Sequence, residues 1–524
     1  MRRPYPYHGA PWTAVVHGVG DVVIDPACRG GVLFYDGGLS GHPASVWTAL
    51  GAALFVSCAA TPPGSRLEEA GLDVPAEWSS LPGGSRPVDA GWLRRFNDTK
   101  LESLIAEAER NNPDMRIAAS RVAQAAEQAR IVASAARPTA TAGMGARRTR
   151  QNFIGFPDFS SGSAPPSDAE QTVLQNLSNT FGPSLDISWE LDVWGRVREG
   201  TSAAIAEAQA VEMEYTAART SLGAQVAKAW FALAEAEEQV RLAGETLAAT
   251  EETERALRDR FRAGQAEGQI VGAQYRLAKS DSASARAALQ QASAARDSAR
   301  RQLEVLIGRP ARGTLAGPTR LPEPPPRPPA GLPSELLVRR PDVRAAERRF
   351  AASGKKTSEA KRALFPQFKL TATTGTSTDD LQSILDSDYG VWTLAGNVMQ
   401  PVLTGGRLRA EVRVREEQDQ EAVAALQKVV LNAFGEVEIA LAADAFLARR
   451  ESALREAVAL ANEADTEARA AYRDGVGDIL TVFATQNRRL ATEAQFITVR
   501  RLRLDNRINL FLALGGDYVP TRKD

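Results

Sequence analysis

Nucleophilic, acid–base and metal chemistry would have few residues to draw on in this chain. Its only histidines are His8, His17 and His42 and its only cysteines Cys28 and Cys58, all near the start of 524 residues. If that N-terminus is removed, no histidine remains. Triads with a His base, Cys/His nucleophile pairs and zinc sites built on His or several Cys are then excluded. Paired carboxylates stay available, but no spacing singles out a pair, so neither catalysis, nor a metal, nor a cofactor is expected. Lys+Arg of 63 against Asp+Glu of 64 gives a net charge of -1, and no global field recruits nucleic acid or an anionic surface.

Cys58 has a different chemistry open to it. The apolar run Val46 to Ser57 is as long as a signal-peptide core and too short to span a membrane as a helix. It leads into Leu54-Phe55-Val56-Ser57-Cys58, which resembles the lipobox of bacterial lipoproteins, where a small residue precedes the cysteine that is acylated. Phe55 stands where Leu is usual, and the nearest upstream cation is Arg29, so a basic n-region is missing; an overlong start would explain the first residues. Cys58 is read as a lipid anchor, with an uncleaved helix or a Cys28–Cys58 disulfide as the alternatives.

The elements behind these residues are organised by a repeat. Aromatics are only 6% and Ala, Glu, Gln and Arg abound, which favours long packed helices. Asn112-Pro113-Asp114 opens one helical stretch and Arg340-Pro341-Asp342 another, and the same offset, 341 − 113 = 228 residues, carries the helix exit Pro138 to Pro366. Trp194-Gly195-Arg196-Val197-Arg198 matches Gly405-Gly406-Arg407-Leu408-Arg409 at 406 − 195 = 211 residues, and Phe261-Arg262-Ala263-Gly264 matches Tyr472-Arg473-Asp474-Gly475 at the same distance. The shortfall is assigned to an enlarged first-copy loop, Gly155 to Ser167. Between the copies, Pro318 to Pro329 is an extended connector, read as a spacer with a docking motif as the alternative.

Within each copy the helical period gives way to alternation. Phe181, Leu185, Ile187, Trp189 and Leu191 fall on one face and Ser184, Asp186, Ser188, Glu190 and Asp192 on the other, with Thr139 to Arg150 as the hairpin partner. Phe368 to Thr373 and Tyr389 to Met399 make the second pair, Trp392, Leu394 and Val398 outward and Thr393 and Asn397 inward. Such strands suit a membrane barrel, whose edges oligomerisation would close, or a soluble half-buried sheet. No proline falls between Pro183 and Pro310 or between Pro401 and Pro520. Leu222, Val226, Ala229, Leu233, Ala236, Val240, Ala243 and Leu247 step by four and three, as do Leu426, Val430, Ala433, Val437 and Ala440, the spacing of helix-on-helix packing. Gly264 and Gly475 would reverse each long helix as left-handed caps, placing two turns at one tip.

Trp92-Leu93-Arg94-Arg95-Phe96-Asn97-Asp98 with Leu101, Gly331-Leu332-Pro333-Ser334-Glu335-Leu336-Leu337-Val338-Arg339-Arg340-Pro341-Asp342, and Trp189-Glu190-Leu191-Asp192-Val193-Trp194-Gly195-Arg196 together resemble the TolC-like outer-membrane factor family of efflux systems, in its lipoprotein branch (NodT-type). The resemblance runs from about Trp92 to Asp517. It implies an α+β membrane protein: a homotrimer with a twelve-stranded transmembrane β-barrel, four strands per protomer, continuous with a twelve-helix periplasmic α-barrel. It implies a passive duct, lipid-anchored in the bacterial outer membrane, that exports small molecules such as drugs or metal ions with a periplasmic adaptor and an inner-membrane pump of the RND type. The outer-membrane component of a type I protein secretion system shares this architecture and is the alternative. A soluble coiled-coil scaffold would explain the helices but not the strands.

The resemblance also divides the chain: extension and signal peptide (1–57), anchored segment (58–100), first repeat (101–309), proline-rich connector (310–335), second repeat (336–516) and tail (517–524). Gly195, Arg196, Gly406 and Arg407 match strand-to-helix junctions. Arg262, Gly264, Arg473, Asp474, Gly475, Asp478 and Thr481 fall at the tip that gates the tunnel and docks the adaptor. Where many relatives carry an aspartate just beyond, this chain has Ala484, so Asp474 or Asp478 would take over cation selection, and Arg473 with Asp478 would hold the resting tip closed.

Overall fold

Asp98 sets the start of the first helix. Its carboxylate accepts the Leu101 N–H at 3.0 Å, so α1 (Thr99–Asn111) opens just ahead of the boundary expected at residue 101. Asn112 ends α1 and caps α2 (Pro113–Ser134), accepting the Asp114 N–H at 2.7 Å, with proline at the first helical position. There follow β1 (Thr139–Phe153), β2 (Leu174–Leu191), α3 (Arg196–Arg262), α4 (Gly268–Leu306), α5 (Pro333–Arg339), α6 (Pro341–Arg362), β3 (Gln367–Thr376), β4 (Gly390–Met399), α7 (Arg407–Arg473) and α8 (Ile479–Ala513). The computed structural model describes residues 71, 74–80, 91–153, 174–262, 268–331 and 333–516. Cys58, Gly264, the loop from Gly155 to Ser167 and the tail lie outside them. Helices α2 and α6 have 22 residues each and α3 and α7 have 67 each. Each of the longer pair runs about 100 Å.

The strands form one antiparallel sheet in the order β1-β2-β3-β4. Residues directly opposite one another share a face. One row joins Ala140, Ile187, Ala372 and Leu394; the next joins Thr141, Asp186, Thr373 and Thr393. One face therefore carries Phe181, Leu185, Ile187, Trp189, Leu370, Trp392, Leu394 and Val398, and the other is largely polar, including Thr141, Ser184, Asp186, Glu190, Lys369 and Asn397, with Thr373 Oγ1 donating to Asp186 at 2.8 Å. Trp392 and Leu394 are 78% and 71% exposed, so nothing in the chain's described residues covers the apolar face. The outer edges of β1 and β4 face no further strand of the sheet.

Helix α3 packs against α1, α2, α4, α6 and α8, and α7 against α6 and α8. All five expected seam residues of α7, from Leu426 to Ala440, are buried. On α3, Leu222, Val226 and Leu233 are buried, but Ala236, Val240, Ala243 and Leu247 are only half-buried, and Ala234, Glu238 and Leu242 take the inner positions. A strict heptad serves one partner; several neighbours pressing on different sides move the buried stripe. Leu431, Ile439 and Phe446 on α7 stay about two-thirds exposed.

The core lies where the N-terminal motif meets the middle of the long helices. Trp92 stacks on Phe511 with centroids 5.4 Å apart and Phe96 packs on Phe231 at 5.3 Å. The Asp98 carboxylate also takes the Trp230 indole N–H at 2.7 Å. The proline-rich connector is a strap across these helices: buried Glu238 accepts the Leu321 N–H at 2.7 Å, Arg500 donates to the Leu321 carbonyl at 2.8 Å, and Arg327 pairs with Asp444 at 3.0 Å. Arg340 is the clamp of the second-copy motif. Its guanidinium is buried, bonded to Asp342 at 2.7 and 3.0 Å, to Glu436 at 2.7 Å and to the Ala513 carbonyl at 3.2 Å. Burial opposes the Asp342 charge, but the Arg340 hydrogen bonds and charge outweigh it and hold that carboxyl below the usual carboxylate range.

Candidate functional site

The first strand-to-helix junction is a closed clamp. Gly195 has φ 79°, a left-handed backbone that favours glycine, and its carbonyl accepts Arg362 Nη1 at 2.9 Å. Asp192 caps α3 by accepting the Val197 and Arg198 N–H groups at 3.0 and 2.8 Å. Arg196 sets Nη2 2.8 Å from both oxygens of Glu190 and reaches Glu359 at 3.8 Å. Glu199 pairs with Lys355 at 3.1 Å and Arg362 at 3.0 Å. Burial lifts the Glu359 carboxyl above its usual range against the pull of Arg196 and Arg415. The end of β2, the start of α3 and the end of α6 are thus tied into one unit. The second junction is built otherwise. Gly405 and Gly406 have φ 58° and 82°, but Arg407 is exposed and among the described residues its side chain reaches only Glu411, at 3.6 Å. The sequences match; the surroundings differ, because α6 encloses the first junction and no described element encloses the second.

At the tip, Arg473 ends α7, Asp474 follows it as C-cap, and Gly475 turns the chain at φ 78°. Asp478 precedes α8 and Thr481 lies in its first turn; Arg473, Asp474, Asp478 and Thr481 are exposed, as is Arg262 at the end of α3. Among the described residues no ion pair joins Arg473 to Asp478. The structure instead ties the two hairpins together through residues that the tip motifs did not single out as a pair. Arg260 Nη1 donates to the Tyr472 hydroxyl at 2.6 Å, and its guanidinium lies 4.7 Å from that ring's centroid. Beneath them Leu257 of α3 and Ala278 of α4 pack with Ile479, Val482 and Phe483 of α8. Tyr472 stood in a quoted motif, but no local signal pairs it with a residue 212 positions away.

A two-faced sheet joined at two glycine junctions, the first of them clamped, to helices of 67 residues suits a channel subunit. The model of the outer membrane efflux protein family matches residues 104–309 and 332–516. This chain belongs to the outer membrane efflux protein family. The toluene efflux pump outer membrane protein TtgF of Pseudomonas putida is 31% identical over 439 residues, covering 83% of this chain and 87% of that one. The pyoverdine export outer membrane protein OpmQ of Pseudomonas aeruginosa is 28% identical, covering 90% and 96%. Among solved structures, the open state of the Neisseria gonorrhoeae MtrE outer membrane channel aligns with a TM-score of 0.73 at 28% identity, over 88% of this chain and 98% of that one. The family and these neighbours are outer-membrane channels of efflux systems, not enzymes.

Proposed function

We propose that this protein is the passive outer-membrane duct of a tripartite efflux pump of the RND type, passing small molecules from the periplasm to the exterior. The observation that carries the reading is the sheet. Among the described residues nothing covers its apolar face, its other face is largely polar, and neither outer edge has a partner, a combination that is stable in a bilayer only if copies close a barrel. From Phe181 to Leu191 is ten residue steps. At about 3.3 Å each and a tilt of about 40° they give a height of about 25 Å, the thickness of the apolar band of an outer-membrane barrel. Three copies of four strands make a twelve-stranded barrel, β4 of one copy meeting β1 of the next. The exposed Leu431, Ile439 and Phe446 of α7 then meet a neighbouring copy, and twelve helices continue the barrel as a periplasmic tunnel.

The tip, from Arg262 and Gly264 to Arg473, Asp474, Gly475, Asp478 and Thr481, gates this tunnel and docks a periplasmic adaptor that links it to an inner-membrane pump. Cys58 carries the acyl anchor. A photo-activatable residue placed at Val391 or Ala395 in β4 tests the reading. Irradiated outer membranes should yield covalent dimers and trimers joined through β1 of the neighbour. Monomer alone, or cross-links within one chain, would defeat it.

A further inference from the structure

The outward face of the sheet does not stay apolar to the end of β1. Strand β1 pairs with β2 residue for residue, so Ala140, Ala142, Met144 and Ala146 are followed on the same face by Arg148, opposite Asn179, and Arg150, opposite Leu177. Both arginines are exposed. Arg150 donates to the neutral amide of Gln175, and no carboxylate among the described residues pairs with either guanidinium. Asn179 and Arg148 form the first outward pair above Phe181, at the upper limit of the 25 Å apolar band, on the side away from the helices.

We propose that Arg148 and Arg150 hold a phosphate-bearing lipid headgroup of the outer leaflet against the rim of the barrel. The face that turns apolar side chains toward acyl chains turns these two toward headgroups, and the planar guanidinium fork matches phosphate oxygens in pairs. Arg147, one residue away, points to the polar face and serves as the internal comparison. The inference rests on the channel reading given above. The competing occupant is a neighbouring copy, whose Asp386 and Asp388 lie just before β4; Asp386 already accepts the Asp388 N–H at 3.1 Å as a turn cap.

Trimer purified from outer membranes is titrated with lipid A bearing or lacking its phosphates, and binding is read by native mass spectrometry. Phosphorylated lipid A should bind the Arg148→Gln/Arg150→Gln variant about thirtyfold more weakly than the native protein, while the form without phosphates binds both alike. The Arg148→Lys/Arg150→Lys variant, which keeps the charge but loses the fork, should recover only part of the affinity lost in the Gln variant, and Arg147→Gln should keep all of it. Equal binding by the native and Gln proteins overturns the proposal. So does full competition by inorganic phosphate at the lipid's own concentration, or an equal loss in Asp386→Asn/Asp388→Asn, which would assign the arginines to the adjacent copy. Variants that still sediment with the outer membrane and conduct ions leave the channel reading standing whatever the lipid result; absence of the native protein from that fraction would end it.

Discussion

Replacing Tyr472 by Phe removes one oxygen and leaves the ring in place, which isolates the Arg260 hydrogen bond at the tip. That bond, 2.6 Å long and charge-assisted, joins α3 to the end of α7 and thus one hairpin to the other. Arg260 is exposed and Tyr472 only half-buried, so the bond is worth about 1 kcal/mol rather than the larger values of buried charged pairs. In the proposed trimer, with the bond made only while the proposed gate is closed, loss of one such bond in each of three copies moves the balance between closed and open tips by about 3 kcal/mol, or more than about a hundredfold in population. Tyr472→Ala should act further, since the cation–π contact and the cover over Ile479 and Phe483 go as well. Single-channel recording in planar bilayers reads the result as longer or more frequent openings. Arg260→Ala should mimic Tyr472→Phe, and the double variant should add little to either. Tyr472→Phe conducting like the native protein would refute this role for the bond, and so would full additivity of the two substitutions, since additive effects mean that the pair is not coupled.

Two further outcomes concern stability. Arg340→Ala should cost about 3 kcal/mol, because it strips a buried guanidinium from Asp342, Glu436 and the Ala513 carbonyl, and Arg340→Lys should rescue little of it for want of the fork; thermal unfolding in detergent followed by circular dichroism measures both, and a loss under about 0.5 kcal/mol would contradict the clamp. Burial raises the Asp505 carboxyl to about 6 from 3.8, against Arg501 and Lys228 and helped by Glu235. The folded state therefore holds that proton more tightly between these values, so this group's contribution falls as pH rises through the window and is least favourable at pH 7. Native protein should accordingly gain about 1–2 kcal/mol relative to Asp505→Asn between about pH 7 and about pH 5, and parallel profiles for the two proteins would refute the assignment.

What could be read from the sequence was whatever is local. Prolines 113 and 341 mark helix starts, alternation in β2 marks its two faces, and the Leu426 to Ala440 stripe is buried as its spacing predicts. Features set by tertiary neighbours could not be read. The Leu222 to Leu247 stripe drifts off the inner side of α3 because several elements share that helix. Gly195-Arg196 and Gly406-Arg407 look equivalent as words, yet only the first has Arg362, Glu359 and Glu190 around it. At the tip, the expected contact between Arg473 and Asp478 follows from proximity along the chain, whereas the link formed, Arg260 to Tyr472, depends on how two hairpins align. Of the partners of Arg340 only Asp342 lies within its motif; Glu436 and the Ala513 carbonyl are far beyond any window in which a motif reveals its reason.

The two bare edges of the sheet also bear on how damage to this protein would be inherited. The proposed ring of three has three seams, and a subunit whose β4 can no longer pair would spoil every ring that it enters. Mixed evenly with sound subunits, it would leave only about one ring in eight free of it. A lesion confined to that edge should therefore act dominantly in a cell carrying a second, intact gene copy. A lesion at buried Phe231, which removes the subunit before it can join a ring, should be recessive.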